Sequence, residues 1–274
     1  MVKKKKRIGL LKILFIGLAK LLLFIIKIPY YFIIGCSDII KWLVGIFKRK
    51  NIEKKRTLMT ANYQNFRIIK SENGNFSSFE NAIINADSKI GIIVGARGSG
   101  KTAFGLSFLE NLYAKKKRKI FALGFKKEEM PSWIDIIEDA SRAKNNSFIL
   151  VDEGGILFSS RKAMSSANKL LSELILISRH KNISVLFISQ NSSNIDVNAL
   201  RQADYLVLKK PSLLQKNFER KIIQNIYNNI ENDFQKYKNY KGATYIYSDN
   251  FKGFVDNPLP SFWNIKISKS FSDK

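Results

Sequence analysis

The chain has 274 residues, enough for one α/β domain of ordinary size with an appendage. Its formal net charge is +25, from 47 Lys/Arg against 22 Asp/Glu, and this balance favours anionic partners. A single cysteine, Cys36, excludes an intramolecular disulfide framework and fits a reducing compartment.

Residues 1–56 carry 15 of the basic residues and two of the acids, so lipid headgroups are the expected partner of this part. A basic cluster at 3–7 precedes a mostly apolar run over 8–47, interrupted by Lys12, Lys20, Lys27, Pro29, Asp38 and Lys41. At ~100° per residue the charged positions fall within a sector of about 80° on one helix, which Pro29 should kink. Membrane association is expected. Two forms stand open: one or two spanning helices over 8–28 and 30–47, or a segment lying in the interface with its lysines snorkelling. Basic clusters at both ends suit a hairpin with both ends in the cytoplasm. Ile33-Ile34-Gly35-Cys36 resembles a lipoprotein cleavage box, but cleavage there would export the domain that follows, against the reducing compartment that the single cysteine fits. The expected location is the membrane, with the domain that follows in the cytoplasm.

The sequence divides as a basic, apolar anchor over 1–50, a polar linker over 51–87, a core over 88–212 and an extension over 213–274. Within the linker, Ser77 with Glu80 three residues on predicts a capped helix start. Ile90–Val94 is apolar and β-branched and predicts a buried strand. It runs into Gly95-Ala96-Arg97-Gly98-Ser99-Gly100-Lys101-Thr102, which fits G-x-x-x-x-G-K-[ST] at every fixed position. The glycines let successive N–H groups point inward at phosphate. Lys101 would reach the β- and γ-phosphates of ATP, and Thr102 would hold Mg²⁺. A helix over about 101–114 turns its positive end toward the anion.

A strand over 118–123 and an amphipathic helix over 132–143 are predicted next. The apolar run Ser147-Phe148-Ile149-Leu150-Val151 then ends in the acids Asp152 and Glu153. About 50 residues after the P-loop, this is the place of a Walker B element. Asp152 would hold Mg²⁺ through water, and Glu153 would orient or deprotonate the attacking water. A helix over 165–179 and strands over 183–189 and 203–208 complete an alternation of buried strands and helices. It predicts an α/β P-loop NTPase fold: a mostly parallel sheet covered by helices on both faces, preceded by membrane helices.

These motifs, with Arg179-His180-Lys181-Asn182 leading into Ile183-Ser184-Val185-Leu186-Phe187-Ile188-Ser189-Gln190, resemble the FtsK–HerA branch of P-loop ATPases. Within it the resemblance is strongest to the Zot-type proteins of filamentous phages and their viral packaging relatives. It covers about 88–210. It implies that Gln190 sits beside the γ-phosphate and that Arg179 reaches the nucleotide of the next subunit in a ring. Arg179 precedes the strand that ends at Gln190, so both are expected along the carboxyl edge of the sheet. It also implies DNA or virion and coat proteins as partners. Zot-type proteins place their membrane helix after the ATPase domain; this chain places its apolar segment first, as DNA-pumping and conjugation-coupling members do. Read by themselves, Arg179 is a surface arginine near a helix end and Gln190 a polar strand end. His180 has no acid or cysteine at ligand spacing.

In the extension, 213–240 reads as one long helix or two, and 242–248 with 251–255 as a hairpin. Lys236, Tyr237, Lys238, Tyr240 and Lys241 interleave charge and rings, which suits either single-stranded nucleic acid or tyrosines packed on the sheet. The tail after Pro260 is expected to have little order. Three functions compete: a membrane-anchored ATPase that moves or packages DNA or a virion, a tethered nucleotide switch with little turnover, and a small-molecule kinase. No acceptor-binding lid for the kinase follows the P-loop.

Overall fold

The computed structural model describes residues 38–159 and 163–268. Two compact units divide at Lys54/Lys55. The proposed span 8–28 and the Cys36 box lie outside the described residues, and 30–47 lies partly outside. Helix α1, residues 38–57, exposes Ile39, Ile40, Trp42, Val44 and Phe47. Among the described residues no helix is long and apolar enough to cross a membrane, so the spanning helices expected from sequence are not supported there.

The second unit is built on one nine-stranded sheet. In chain order its elements are β1 (Arg67–Gly74), α2 (Phe76–Asn85), β2 (Ile90–Val94), α3 (Lys101–Lys116), β3 (Lys119–Leu123), β4 (Ile134–Ile136), β5 (Ser147–Asp152), α4 (Glu153–Ser159) and α5 (Ala163–Lys181). Then come β6 (Ser184–Ser189), α6 (Val197–Arg201), β7 (Tyr205–Leu208), α7 (Leu213–Phe218), α8 (Lys221–Lys236), β8 (Ala243–Ser248), β9 (Phe251–Asp256) and α9 (Ile265–Ser268). The strand order is β1-β9-β8-β7-β2-β6-β5-β3-β4. From β7 to β4 every pairing is parallel; β8, β9 and β1 extend the sheet antiparallel beyond β7.

The parallel strands are apolar on both faces because helices cover both. In β2, Ile93 packs with Phe104 and Phe108 of α3 and Phe79 of α2. Its neighbours Ile92 and Val94 point the other way, into a cluster with Leu171 and Leu174 of α5 and Tyr227 and Phe234 of α8. This is the two-residue period of a strand working between two helical layers. The fold is an α/β P-loop NTPase with a mostly parallel sheet.

Several local expectations are corrected. Residues 132–143 are not a helix: Ile134 and Ile136 form the edge strand β4 beside Ile120 and Ala122, and Asp139 caps a 3₁₀ turn over Ala140–Arg142. Asn75, not Ser77, caps α2, its side chain accepting from the Ser77 N–H. Glu80 does not reach back to the cap; it is buried and accepts from the Tyr63 hydroxyl at 3.0 Å and from Lys115. The linker contains β1, an edge strand whose lysine and glutamate side chains and bulged register suit an unpaired rim. The tail is docked as far as 268, with Phe262 and Ile267 buried and the Ser261 N–H on Glu110 at 2.8 Å. The 213–240 region is two helices, and the hairpin forms as expected. Tyr237 packs against Phe254, which favours the packed reading of the lysine–tyrosine run.

Candidate nucleotide site

The parallel strands direct their carboxyl ends to one edge of the sheet, and β2, β5 and β6 are adjacent there. β2 passes into the P-loop and α3 begins at Lys101. Gly100 caps α3 at φ 89°, a left-handed conformation that a side chain would resist. The first turn of α3 thus presents free N–H groups at the loop. Lys101 is 8% exposed, and its ammonium donates to the carbonyls of Gly95 at 2.7 Å and Ala96 at 2.9 Å. Burial lowers its pKa to about 8, while Asp152, Glu153 and Glu219 pull it up. The Ser99 hydroxyl is buried in the loop and unpartnered among the described residues. Arg97 and Gly98, at the loop's crest, are exposed, and Ala96 lies at its base.

β5 ends at Asp152, and α4 starts on the next residue. This abrupt turn needs close packing: a Cβ on Gly155 would sit 1.9 Å from the Gly124 carbonyl oxygen. Asp152 accepts from the Thr102 hydroxyl at 3.1 Å and the Gly154 N–H at 3.0 Å. Burial pushes its carboxyl up, against the pull of Thr102 and Lys101. Thr102 and Asp152 thus converge as two hard oxygen donors. Such a pair fits Mg²⁺, which keeps most of its other positions for water and phosphate oxygens. The unpartnered Ser99 hydroxyl and the open N–H groups in the first turn of α3 fit the phosphates themselves.

Glu153 is 4% exposed. Its carboxylate accepts from the Ser189 hydroxyl at 2.5 Å and from the Gln190 N–H. Burial raises its pKa, with Asp152 adding to the rise and these donors and Lys101 opposing it. Because β6 lies between β2 and β5, its carboxyl end brings Ser189 and Gln190 to the carboxylate. Gln190 is exposed, with its amide beside Gly154, and its carbonyl accepts from the Gln215 amide at 2.6 Å. Gln215 also donates to Glu219 at 2.6 Å, and Glu219 grips the N–H of Ser192 at 2.6 Å. A polar chain therefore runs from the end of β6 to α7.

The structure brings together Lys101, Thr102, Asp152, Glu153 and Gln190. Arg179 is not with them. It is exposed in the last turn of α5, just before the amino end of β6, where Ile183 bonds back to Ser178 at 2.8 Å. A six-residue strand spans about 20 Å at ~3.3 Å per residue, so Arg179 lies at the opposite edge of the sheet from its own P-loop. The expectation that Arg179 and Gln190 share the carboxyl edge is corrected. His180 is exposed, and among the described residues no cluster of three or more metal-ligating side chains occurs. Sequence reasoning missed Ser189, Gln215 and Glu219. For Ser189 the available signal was a hydroxyl at the last position of an apolar strand directly before Gln190.

No protein family matches the sequence, and no curated relative does. Among solved structures, the DNA-packaging ATPase B204 from Sulfolobus turreted icosahedral virus is similar at 16% identity and a TM-score of 0.42, over 64% of this chain and 99% of that one. The genome-packaging NTPase B204 from Sulfolobus turreted icosahedral virus 2, in complex with AMP, aligns at 15% identity and 0.42, over 63% and 99%. The N-terminal domain of zonular occludens toxin from Neisseria meningitidis aligns at 20% and 0.30, over 44% and 76%. A packaging ATPase and a zonular occludens toxin domain are the two kinds of protein that the sequence resemblance names. Identities this low, with TM-scores below 0.5, leave function to be read from the site itself.

Proposed function

We propose that this protein binds ATP with Mg²⁺ at 95–102 and hydrolyses it. The observation that carries this reading is the placement of Glu153: a buried carboxylate next to the Asp152–Thr102 pair, aimed by Ser189 and Gln190. Thr102 and Asp152 would hold Mg²⁺, which supplies charge neutralisation on the phosphates. Lys101 exchanges its two loop carbonyls for phosphate oxygens. Glu153 takes a proton from the attacking water as the new P–O bond forms and the bond to the ADP oxygen breaks.

The work done with this energy is proposed to be DNA translocation, packaging, or virion assembly and extrusion, by a homo-oligomeric ring held at a membrane. The basic charge, the Arg–strand–Gln arrangement and the apolar, basic segment before residue 50 support this reading. The exposed apolar side chains of α1 extend that segment's character into the described residues. A second reading, a tethered switch with little turnover, is favoured by one detail. Two donors already hold the Glu153 carboxylate and lower its basicity, which slows proton uptake from water.

Steady-state phosphate release by the full chain, with and without single- and double-stranded DNA, separates the two. Turnover that DNA stimulates and Lys101→Ala abolishes supports the motor. Tight ATP binding with negligible turnover under all conditions supports the switch. Removal of residues 1–50 should release the protein from vesicles containing anionic lipid while leaving ATP affinity unchanged. Retention of the unaggregated truncated protein on those vesicles would refute the anchor.

A further inference from the structure

A buried cation that the hydrolytic scheme does not use lies behind the P-loop. Lys209 follows β7 and is 1% exposed. Its N–H continues the pairing with β2 by bonding to the Val94 carbonyl at 2.8 Å, and the Lys210 carbonyl accepts from the Ala96 N–H at 3.3 Å. The segment after β7 is thus fastened to both ends of the turn into the loop. The Lys209 side chain then runs along the back of the loop. A Cβ on Gly95 would sit 2.5 Å from Lys209 Cβ, and one on Gly100 would sit 3.7 Å from both Lys209 Cε and Nζ. The ammonium therefore stands beside Gly100, at the N-cap of α3. It donates to the Gly242 carbonyl at 3.0 Å and to Asn257 Oδ1 at 2.8 Å, and it faces the Phe104 ring at 5.9 Å.

A lysine held by two neutral acceptors in an apolar surround is an expensive way to fasten a hairpin. Its acceptors leave its charge uncancelled, and its position is behind the site that must hold several negative charges. We propose that Lys209 is a second phosphate-attracting cation of this site, acting through the loop from behind without touching the nucleotide. The inference rests on the nucleotide-binding reading above.

The groups around it support the sign. From β9, Asp256 is the charged residue that favours the ammonium; its carboxylate is occupied by the Gly242 N–H at 2.9 Å. From α3, Lys101 sits on the Gly95 carbonyl. From α8, Tyr227 gives its hydroxyl to the carbonyls of Lys209 at 3.1 Å and Val94 at 3.3 Å. From β8, Thr244 shares both acceptors, bonding Gly242 at 2.7 Å and Asn257 at 2.9 Å. Burial lowers the Lys209 pKa to about 7, with Asp256 opposing. An anion arriving at the loop raises it again, which is the same statement as tighter binding at low pH.

The test is the ratio of ATP affinities of the wild-type chain and Lys209→Met across pH 6 to 9.5, by isothermal calorimetry in two buffers of different ionisation enthalpy. Taking the ratio cancels the titration of Lys101 and of ATP itself, which both proteins share. Wild type should bind about tenfold more tightly below pH 7, the effect of roughly one pKa unit. The two should converge above pH 9, and the wild type alone should show the extra proton uptake near pH 7.5. Asn257→Asp places a carboxylate on the ammonium and cancels its field, so it should mimic the loss while keeping the fold. It serves if Lys209→Met does not fold. A pH-independent ratio near one, with equal proton uptake in folded variants, overturns the inference and leaves nucleotide binding standing. A wild type that binds no ATP overturns both.

Discussion

Replacing Glu153 by Gln isolates the chemical step. The substitution preserves shape and leaves one side-chain oxygen to accept from the Ser189 hydroxyl, now 2.5 Å from the carboxylate. It removes a buried charge that Asp152 disfavours, so the fold is not expected to weaken. Among the described residues no hydrogen bond joins Glu153 to Lys101 or the loop, so ATP affinity should stay within about twofold. What is lost is the acceptor for the water proton. A positioned general base contributes roughly 10²–10⁴ in rate, or about 2.7–5.4 kcal/mol at ~1.36 kcal/mol per tenfold. Phosphate release at saturating ATP should fall by that factor, with fluorescent-nucleotide affinity and Tm close to wild type. The wild-type rate should decline as pH falls through the raised pKa of Glu153, since only the carboxylate accepts a proton, and the variant should show no such limb. Turnover within threefold of wild type, with ATP demonstrably bound, would remove Glu153 from the catalytic set.

The legible part of the site was the part whose chemistry is local. Eight contiguous residues make the P-loop, and no distant contact is needed to recognise them. The strands β2, β5 and β6 were legible for a related reason: sheets covered on both faces require unbroken apolar runs, and Ile90–Val94, Phe148–Val151 and Val185–Ile188 are such runs. Where two periods fit the same residues, the reading failed. Trp133, Ile136 and Ile137 satisfy a helical stripe, but Ile134 and Ile136 alternate as a strand, and the open edge of β3 selected the strand.

Partners distant in sequence were not legible at all. β1 carries Arg67, Lys70 and Glu72 and reads as linker until β9, far along the chain, pairs with it. Ser189 shows in sequence only as a hydroxyl at a strand end; its partner Glu153 is unreadable until β6 is known to lie between β2 and β5. Arg179 shows the opposite error. Its nearness in sequence to Gln190 suggested nearness in space, whereas a residue before a parallel strand stands at the edge away from the nucleotide.

The remaining predictions test the support of Glu153, the buried lysines and the placement of Arg179. Ser189→Ala removes a donor that holds Glu153 ionised, so the acid limb of the pH–rate profile should move to higher pH; an unmoved limb would show that Ser189 does not set it. Stability should rise with pH between about 7 and 10. There Lys209 and Lys101, lowered to about 7 and about 8 in the folded chain from the ordinary 10.5, have released protons that the unfolded chain still holds. Above that window the buried Tyr205 and Tyr227, whose hydroxyls are pushed up by burial, ionise first in the unfolded chain and reverse the sign. Tm by circular dichroism at pH 7, 8.5, 9.5 and 11 checks this, and a Tm flat or falling from 7.5 to 9.5 would contradict it. Arg179→Ala gives the sharpest result, because the strand's length leaves this guanidinium no route to its own nucleotide. If it acts, it acts on a neighbour, and such contributions are worth roughly 10³–10⁵ in rate. The variant should bind ATP as wild type does and hydrolyse it far more slowly. Lys101→Ala cannot cradle phosphate but keeps Arg179, so mixing the two inactive proteins should restore part of the activity at interfaces where an intact P-loop faces an intact arginine. Full activity in Arg179→Ala alone, or no recovery in oligomers shown to be mixed, would leave Arg179 a surface residue and remove the strongest support for the ring.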